Sequence, residues 1–299
     1  MTREELRTAL EAADSRDGWI DTVGRFFAAH RIFYGHGTDN ATDEAYWLIW
    51  KLSSLTTSLA QSSPDPALIP LIVETARRRV EERVPMAYLL GSAWFAGLEF
   101  EVNRSVLIPR SPLAETVERC FEPWCRLDDG DRILEIGTGA GCIAIAAAVH
   151  HPGLAVDATE IDPRSLAVAR ANVRRHRVEH RVRLIEADLF PSGETRYRAI
   201  ISNPPYVPTR ELAALPAEYR HEPAAALDGG EDGLDVARRI LAGAAGRLLP
   251  DGVLIVEVGQ SAAALVEAWP RVSWTWLEFE RGGEGVFLLT ADELIDGWR

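Results

Sequence analysis

Asn203-Pro204-Pro205-Tyr206 follows the apolar run Ala199-Ile200-Ile201-Ser202 and lies downstream of Gly137-Thr138-Gly139-Ala140-Gly141. The tetrapeptide has the residue types of a pocket for a planar –NH2 group. Proline lacks a backbone N–H, so two in succession strip the segment of donors and stiffen it. The Asn203 side-chain oxygen and the Pro204 carbonyl remain as acceptors. Two acceptors aimed at one NH2 hold that nitrogen in place, and Tyr206 offers a flat face against which an amide or a nucleobase stacks. Asn and Pro are also ordinary turn formers, so the motif alone is compatible with a plain turn after a strand. The glycines upstream shift the balance toward chemistry.

Ile133-Leu134-Glu135-Ile136 runs into Gly137, Gly139 and Gly141 and then into a helix rich in Ala and Ile. This is the strand–turn–helix context in which a glycine loop approaches a nucleoside closely, with Thr138 at its centre. A dinucleotide site prefers glycine where this chain has Cys142, so the spacing favours S-adenosylmethionine. Glu160 closes the next predicted strand, where a carboxylate can accept both ribose hydroxyls. Asp157 and Asp162 lie near enough to compete, and the residues alone leave that choice open. Glu135 is placed to orient the amino group of a methionine moiety. Asp188, with Leu189 after it, is placed to border an adenine.

The elements that must hold these residues divide the chain in three. Residues 1–85 read as a small helical domain: Thr2 and Glu5 fit a capping box, and Leu6, Leu10, Ile20, Val23, Phe26 and Phe27 give helical apolar faces. A glycine-bearing loop, Tyr34–Asn40, precedes an aromatic-rich helix near 43–60, which Pro64-Asp65-Pro66 ends before another helix to about Arg83. Residues 86–107 read as a β-hairpin connector, with strands between Tyr88 and Val102. Residues 108–299 alternate short apolar strands with helices, which predicts an α/β domain with a mostly parallel, Rossmann-like sheet. Further strands are expected at about 154–159, 181–186, 197–202, 252–258, 273–279 and 284–290.

The 299 residues, 47% hydrophobic, suffice for a full core. A formal charge of −13 argues against a general nucleic-acid surface, which needs clustered Lys and Arg, and is compatible with a basic protein partner. Lys51 is the only lysine among 32 basic residues, a compositional bias without functional content. Cys120, Cys125 and Cys142 have neither paired nor metal-binding spacing, so buried thiols in a reducing compartment and no metal are expected. The charged start, Met1-Thr2-Arg3-Glu4-Glu5, does not resemble a signal peptide, and no apolar run reaches the ~18–20 residues of a membrane span. These features predict a cytoplasmic enzyme.

Taken together, Glu135–Gly141, Ala187-Asp188-Leu189-Phe190 and Asn203–Tyr206 resemble the HemK family of class I methyltransferases, which modify glutamine side-chain nitrogens in proteins. The likeness covers nearly the whole chain. Tyr34–Asn40, Ile108–Pro112, Glu218–Pro223, Trp276–Phe279 and Gly282–Phe287 resemble the branch acting on ribosomal protein three of the 50S large subunit, and Leu189 stands where the release-factor branch often has Trp. The resemblance implies methyl transfer from S-adenosyl-L-methionine, with S-adenosyl-L-homocysteine as product. It implies Asn203, Pro204 and Tyr206 at the chemistry, and Asn203–Tyr206 around the substrate amide. Glu135, Gly137, Thr138, Gly139, Gly141, Glu160, Asp188, Leu189 and Asn203 are implied around the cofactor. It selects Glu160 as the ribose acid, although relatives commonly carry Asp there.

The expected partner is the free or early-assembly ribosomal protein, with no direct nucleic-acid specificity and no membrane. A release-factor glutamine methyltransferase, an N6-adenine methyltransferase and a non-catalytic ribosome-assembly factor are the alternatives. His36 is expected to shape a substrate face rather than to catalyse, and Arg220–Pro223 to shape the peptide groove. Arg110 reads equally well as a surface ion-pair member, and tryptophans 47, 50, 94, 274 and 276 as core or interface anchors.

Overall fold

The computed structural model describes residues 1–56 and 64–297, and the chain divides into two compact units. The first comprises Met1–Ser92 together with Pro216–His221, and the second Ala93–Leu215 with Glu222–Arg299. The division falls a few residues beyond the expected boundary at 85. The return of 216–221 to the first unit has no signal in the local sequence.

Helices α1 (Arg3–Ala12), α2 (Arg16–Ala28), α3 (Ala41–Thr56), α4 (Ile69–Glu81) and α5 (Met86–Leu90) build the first unit. Thr2 and Glu5 close the anticipated capping box at α1, satisfying backbone donors that the first helical turn leaves without partners. Leu6, Leu10, Trp19, Val23, Phe27, Ile72 and Val73 are buried, and the Trp19 indole donates to the Leu10 carbonyl at 2.9 Å. Of the helix expected near 43–60, the part beyond Thr56 lies outside the described residues. Met86–Leu90 is helical where strand character was expected to begin at Tyr88, and Gly91, at φ +67°, ends it.

The second unit begins with the hairpin of β1 (Ser92–Phe95) and β2 (Leu98–Glu101), followed by α6 (Leu113–Glu118). Then come β3 (Arg132–Ile136), α7 (Cys142–His150), β4 (Ala155–Glu160), α8 (Pro163–Arg175), β5 (Val182–Glu186) and β6 (Tyr197–Ser202). The chain closes with α9 (Asp235–Ala244), β7 (Leu248–Glu257), α10 (Ala262–Ala268), β8 (Thr275–Trp276), β9 (Val286–Thr290) and α11 (Ala291–Gly297). The sheet order is β5-β4-β3-β6-β7-β9-β8, parallel from β5 to β7, with β9 antiparallel to both of its neighbours. Parallel strands covered on both faces read as continuous apolar runs, as in Ala199–Ile201. Helix α7 packs under one face with Ile143 and Ile145 buried, and α9 under the other with Ile240 and Leu241 buried. The expected tail strand at 273–279 shrinks to Thr275–Trp276. Among the expected tryptophan anchors, Trp47 is buried, whereas Trp94 and Trp276 are exposed.

Strand order reverses between β3 and β6. In open α/β sheets the crevice beyond the strand ends at such a reversal is where ligands bind. Ile136 pairs with Ser202 across this point, and the Ser202 hydroxyl donates to the Ile136 carbonyl at 2.8 Å. The glycine loop and Asn203 therefore leave the sheet side by side.

Candidate active site

A cavity of about 310 Å³ in the second unit opens at that reversal. Its lining includes Glu135, Gly137, Thr138, Gly139, Glu160, Asp188, Leu189, Asn203, Pro204 and Pro205, so residues scattered over seventy positions of sequence meet at one place. Gly137 and Gly139 adopt φ of +73° and +54°, and a Cβ at either would meet no atom within 4 Å. Both need glycine for the backbone and leave open space beside it. Gly141, at φ +83°, is different: a Cβ there would press on Ile145 and Ala169, so this glycine serves close packing of the α7 start against α8.

The loop is pinned from beneath. Gly137 and Thr138 N–H both donate to the Thr159 carbonyl at 2.9 Å. Asn172, fully buried on α8, donates to the Ala140 carbonyl and exchanges hydrogen bonds with the Glu101 backbone, tying the loop to the hairpin. Nothing in the sequence singled out Asn172, because its role depends on three segments that meet only in the fold.

The acids separate by what already engages them. Glu160 accepts from Gly139 N–H through Oε2 at 2.9 Å, and from Ile161 and Asp162 N–H through Oε1, and it faces the cavity. Asp162 caps α8, accepting from Arg164 N–H, and pairs with the Arg164 guanidinium, which holds its carboxyl below the usual range. Asp157 is wholly buried under Arg132, Arg183 and the Tyr197 hydroxyl. Glu160 and Asp162 both line the cavity, but the Arg164 guanidinium occupies both Asp162 oxygens, whereas Glu160 is engaged by backbone N–H groups and carries no counter-charge of that kind. Asp188 lines the far end and pairs with Arg239 at 2.7 Å. Leu189 takes φ +67°, and its carbonyl accepts from the Thr159 hydroxyl at 2.6 Å.

Glu135, at 1% exposure, accepts from the Thr138 hydroxyl and from Ala144 N–H. Burial pushes its carboxyl up to about 8, opposed by those two hydrogen bonds, with the nearby Glu160 charge raising it further. Cys142 shares the cavity wall, and burial raises its thiol so that it stays protonated. All three cysteines are free, with Cys125 buried and the other two half-buried. Among the described residues no cluster of metal-ligating side chains occurs.

In the tetrapeptide the two ends differ. Among the described residues no hydrogen bond engages the Asn203 side chain or the Pro204 carbonyl, so both acceptors remain available at the cavity wall. Tyr206 does not line the cavity: its hydroxyl donates to Glu257 Oε1 at 3.0 Å and its ring lies over Gly259, where a Cβ would come within 2.7 Å of it. Tyr206 thus anchors the loop through its hydroxyl and through ring packing over Gly259, and remains half-exposed. Beyond it, Val207 N–H donates to the Leu227 carbonyl, Gly229 N–H to the Val207 carbonyl and Thr209 N–H to the Gly230 carbonyl, closing the excursion between them like a stem.

Arg110 and Ser111 also line the cavity. The Arg110 guanidinium grips both oxygens of Glu222 at 2.5 and 2.7 Å, and Ile108 N–H donates to the same carboxylate. Arg110 is therefore a fixed wall element rather than a loose surface charge, and Glu222 carries the structural weight of the Arg220–Pro223 segment. Arg220 is exposed, and His221 bonds the Glu82 carbonyl at 2.8 Å within the first unit. His36 is buried there, 4.7 Å from the Tyr219 ring. Glu257, with Ser111 and Tyr206 on its carboxylate, went unnoticed in the sequence. Its signal was available: like Glu160, it is an acid closing an apolar strand.

These groups suit S-adenosyl-L-methionine. Open space beside two left-handed glycines admits a nucleoside, Glu160 has acceptor capacity for ribose hydroxyls, and the buried Glu135 carboxyl lies at the inner end where a cationic amine would favour its ionised form.

Comparison with known proteins adds independent support. The family description "Methyltransferase small domain" matches residues 124–217, the stretch from before the glycine loop to beyond Tyr206. A ribosomal protein uL3 glutamine methyltransferase of Francisella tularensis is 40% identical over 274 residues, covering 89% of this chain and 87% of that protein. Proteins of the same name from Neisseria gonorrhoeae and Neisseria meningitidis are each 40% identical over 294 residues, covering 97% of this chain and 98% and 97% of theirs.

Proposed function

Because the chain belongs to the family of ribosomal protein uL3 glutamine methyltransferases, we propose that it transfers a methyl group from S-adenosyl-L-methionine to the side-chain amide nitrogen (N5) of a glutamine in uL3 of the large ribosomal subunit. The observation that carries this reading is the pair of unengaged acceptors, Asn203 Oδ1 and the Pro204 carbonyl, set beside the glycine loop by the Ile136–Ser202 pairing.

When bound, the cofactor supplies an electrophilic methyl on a sulfonium and departs as S-adenosyl-L-homocysteine. An amide nitrogen is a poor nucleophile because its lone pair is delocalised into the carbonyl. Asn203 and Pro204 each accept one N–H of the glutamine amide, which fixes the nitrogen's direction and favours charge building on it during transfer. Pro204 and Pro205 cannot donate, so they offer the amide no competing hydrogen bond. Glu160 and Asp188 hold the nucleoside end, and Glu135 the amino-acid end. The amide proton is lost to water at the half-exposed Asn203.

The helical first unit is the natural seat of substrate choice, since the cofactor and amide groups all lie in the second. The net charge of −13 favours encounter with a basic ribosomal protein free of RNA, and a cytoplasmic location follows from that substrate. No helix among the described residues is long and apolar enough to cross a membrane. Intact-mass analysis of purified uL3 and of release factors, each incubated with enzyme and cofactor, tests the reading. One added methyl on uL3 alone is expected, and methylation of a release factor in its place overturns the substrate. Exchange of residues 1–85 for those of a release-factor enzyme should move the target, and a chimera that keeps uL3 places recognition in the second unit.

A further inference from the structure

Glu257 ends β7 at 4% exposure and does not itself line the cavity. Its two oxygens are divided between two loops that do line it. Oε1 accepts from the Tyr206 hydroxyl at 3.0 Å, and Oε2 from the Ser111 hydroxyl at 2.5 Å. Each partner is fixed in turn. Ser111 Oγ accepts from Leu113 N–H at 3.1 Å, which sets the start of α6, and the Tyr206 carbonyl accepts from the Ser261 hydroxyl at 2.8 Å. Gly259 takes φ +46° and leaves room for the Tyr206 ring.

Tyr206 lies three residues from Asn203 with the rigid Pro204-Pro205 step between them, so fixing the phenol fixes the direction of both amide acceptors. Ser111 adjoins Arg110, and both line the cavity. A carboxylate accepting two hydroxyl bonds in a buried site holds its donors more tightly than neutral acceptors do. We propose that Glu257 is a positioning residue for methyl transfer: by taking one hydroxyl from each of two cavity-lining loops, it sets the Asn203–Pro204 acceptors relative to the Ile108–Ser111 segment, and so the place of the glutamine amide. Burial raises the Glu257 carboxyl, and the Ser111 and Tyr206 bonds oppose that rise.

The proposal rests on the glutamine reading for its kinetic test and is independent of it for its structural one. The variants are Glu257→Gln, Tyr206→Phe and the double variant, the first two close to the native side chains in shape. In kinetics, each single change lowers kcat about tenfold or more, in line with the cost of a misplaced reactant, while cofactor Kd stays within about twofold. The double variant falls no further than the worse single one, because the Tyr206 change removes the same bond that the Glu257 change weakens by taking its charge. Losses that multiply in the double variant, native kcat in Glu257→Gln, or an equal loss in cofactor affinity overturn it.

Amide hydrogen exchange supplies the second readout and needs no protein substrate. Exchange at Tyr206 and Val207 should quicken in both single variants while that of Gly137, Gly139 and Gly141 is unchanged. Unaltered exchange at Tyr206 and Val207 overturns the proposal. Absence of methyl transfer to uL3 by the unmodified enzyme, with exchange behaving as stated, instead overturns the substrate reading.

Discussion

The Gly139 N–H donates to Glu160 Oε2 across 2.9 Å, so the glycine loop and the acid that closes β4 form one bonded unit. Glu160→Ala removes the loop's anchor together with the acceptor proposed for ribose. Calorimetry should show cofactor affinity falling about tenfold or more, the usual consequence of losing a charged hydrogen-bond acceptor. Asp162→Ala should cost about 1 kcal/mol of stability through the lost α8 cap, with little change in affinity. The reverse order of effects would transfer the ribose role to Asp162.

Asn203→Ala should leave cofactor affinity nearly intact and lower single-turnover methylation by about 10²–10³-fold, the range found when a donor or acceptor aimed at the reacting group is removed. Near-normal transfer in this variant would remove the acceptor pair from the mechanism.

Glu135 gives the folded protein a distinctive pH dependence. Below about pH 4.5 its carboxyl is protonated in folded and unfolded chains alike, and above about pH 8 it is ionised in both. Between those limits the unfolded chain releases the proton while the folded chain keeps it, so rising pH favours unfolding. Stability of the cofactor-free protein relative to Glu135→Gln should therefore decline from about pH 5 to about pH 8. Glu44 and Glu257, also raised by burial, cancel in the difference. Denaturant titrations of the two proteins across that range measure it, and parallel curves would contradict it.

Arg79 sits at 1% side-chain exposure between Glu44 and Glu218, at 3% and 2%. Its removal strands Glu44 and leaves Glu218 with the part-exposed Arg83, 3.5 Å away, as its remaining counter-charge. Arg79→Ala should lower stability by about 3–5 kcal/mol, the cost of breaking a buried pair from one side, in an unfolding titration. Replacing all three by apolar residues of similar volume should cost less, since no buried charge is then stranded.

The motifs that sequence exposes are those whose meaning is local. Gly137, Gly139 and Asn203–Tyr206 announce themselves because left-handed turns and donor-free prolines follow from residue type. The alternation of strands and helices from Ile133 onward follows from apolar periodicity. What stayed hidden depends on distant partners. Asn172 matters through Ala140 and Glu101, Glu257 through Ser111 and Tyr206, and Pro216–His221 through the first unit's Arg79 and Phe33. The anchoring of Tyr206 is hidden for the same reason: an aromatic beside a polar motif suggests stacking, and only the fold reveals a buried carboxylate within reach of its hydroxyl. The helix at Met86–Leu90 lacked the length for its periodicity to stand apart from that of a strand.

The closed stem that joins Val207 to Leu227 and Gly229 bears on how such an enzyme diversifies. The chain leaves the chemical centre after Tyr206 and returns to the same spot, and on the way it is anchored at Glu218, which pairs with Arg79, and at Glu222, which grips Arg110. Lengthening it costs only the slow logarithmic growth of loop-closure entropy, about 0.6 kcal/mol for each doubling. Insertions at the exposed Ala213–Ala214 stretch, ahead of both anchors, can be sampled by drift or by an engineer while the amide acceptors keep their places. A lineage can in this way retarget the enzyme to new proteins without reinventing its chemistry.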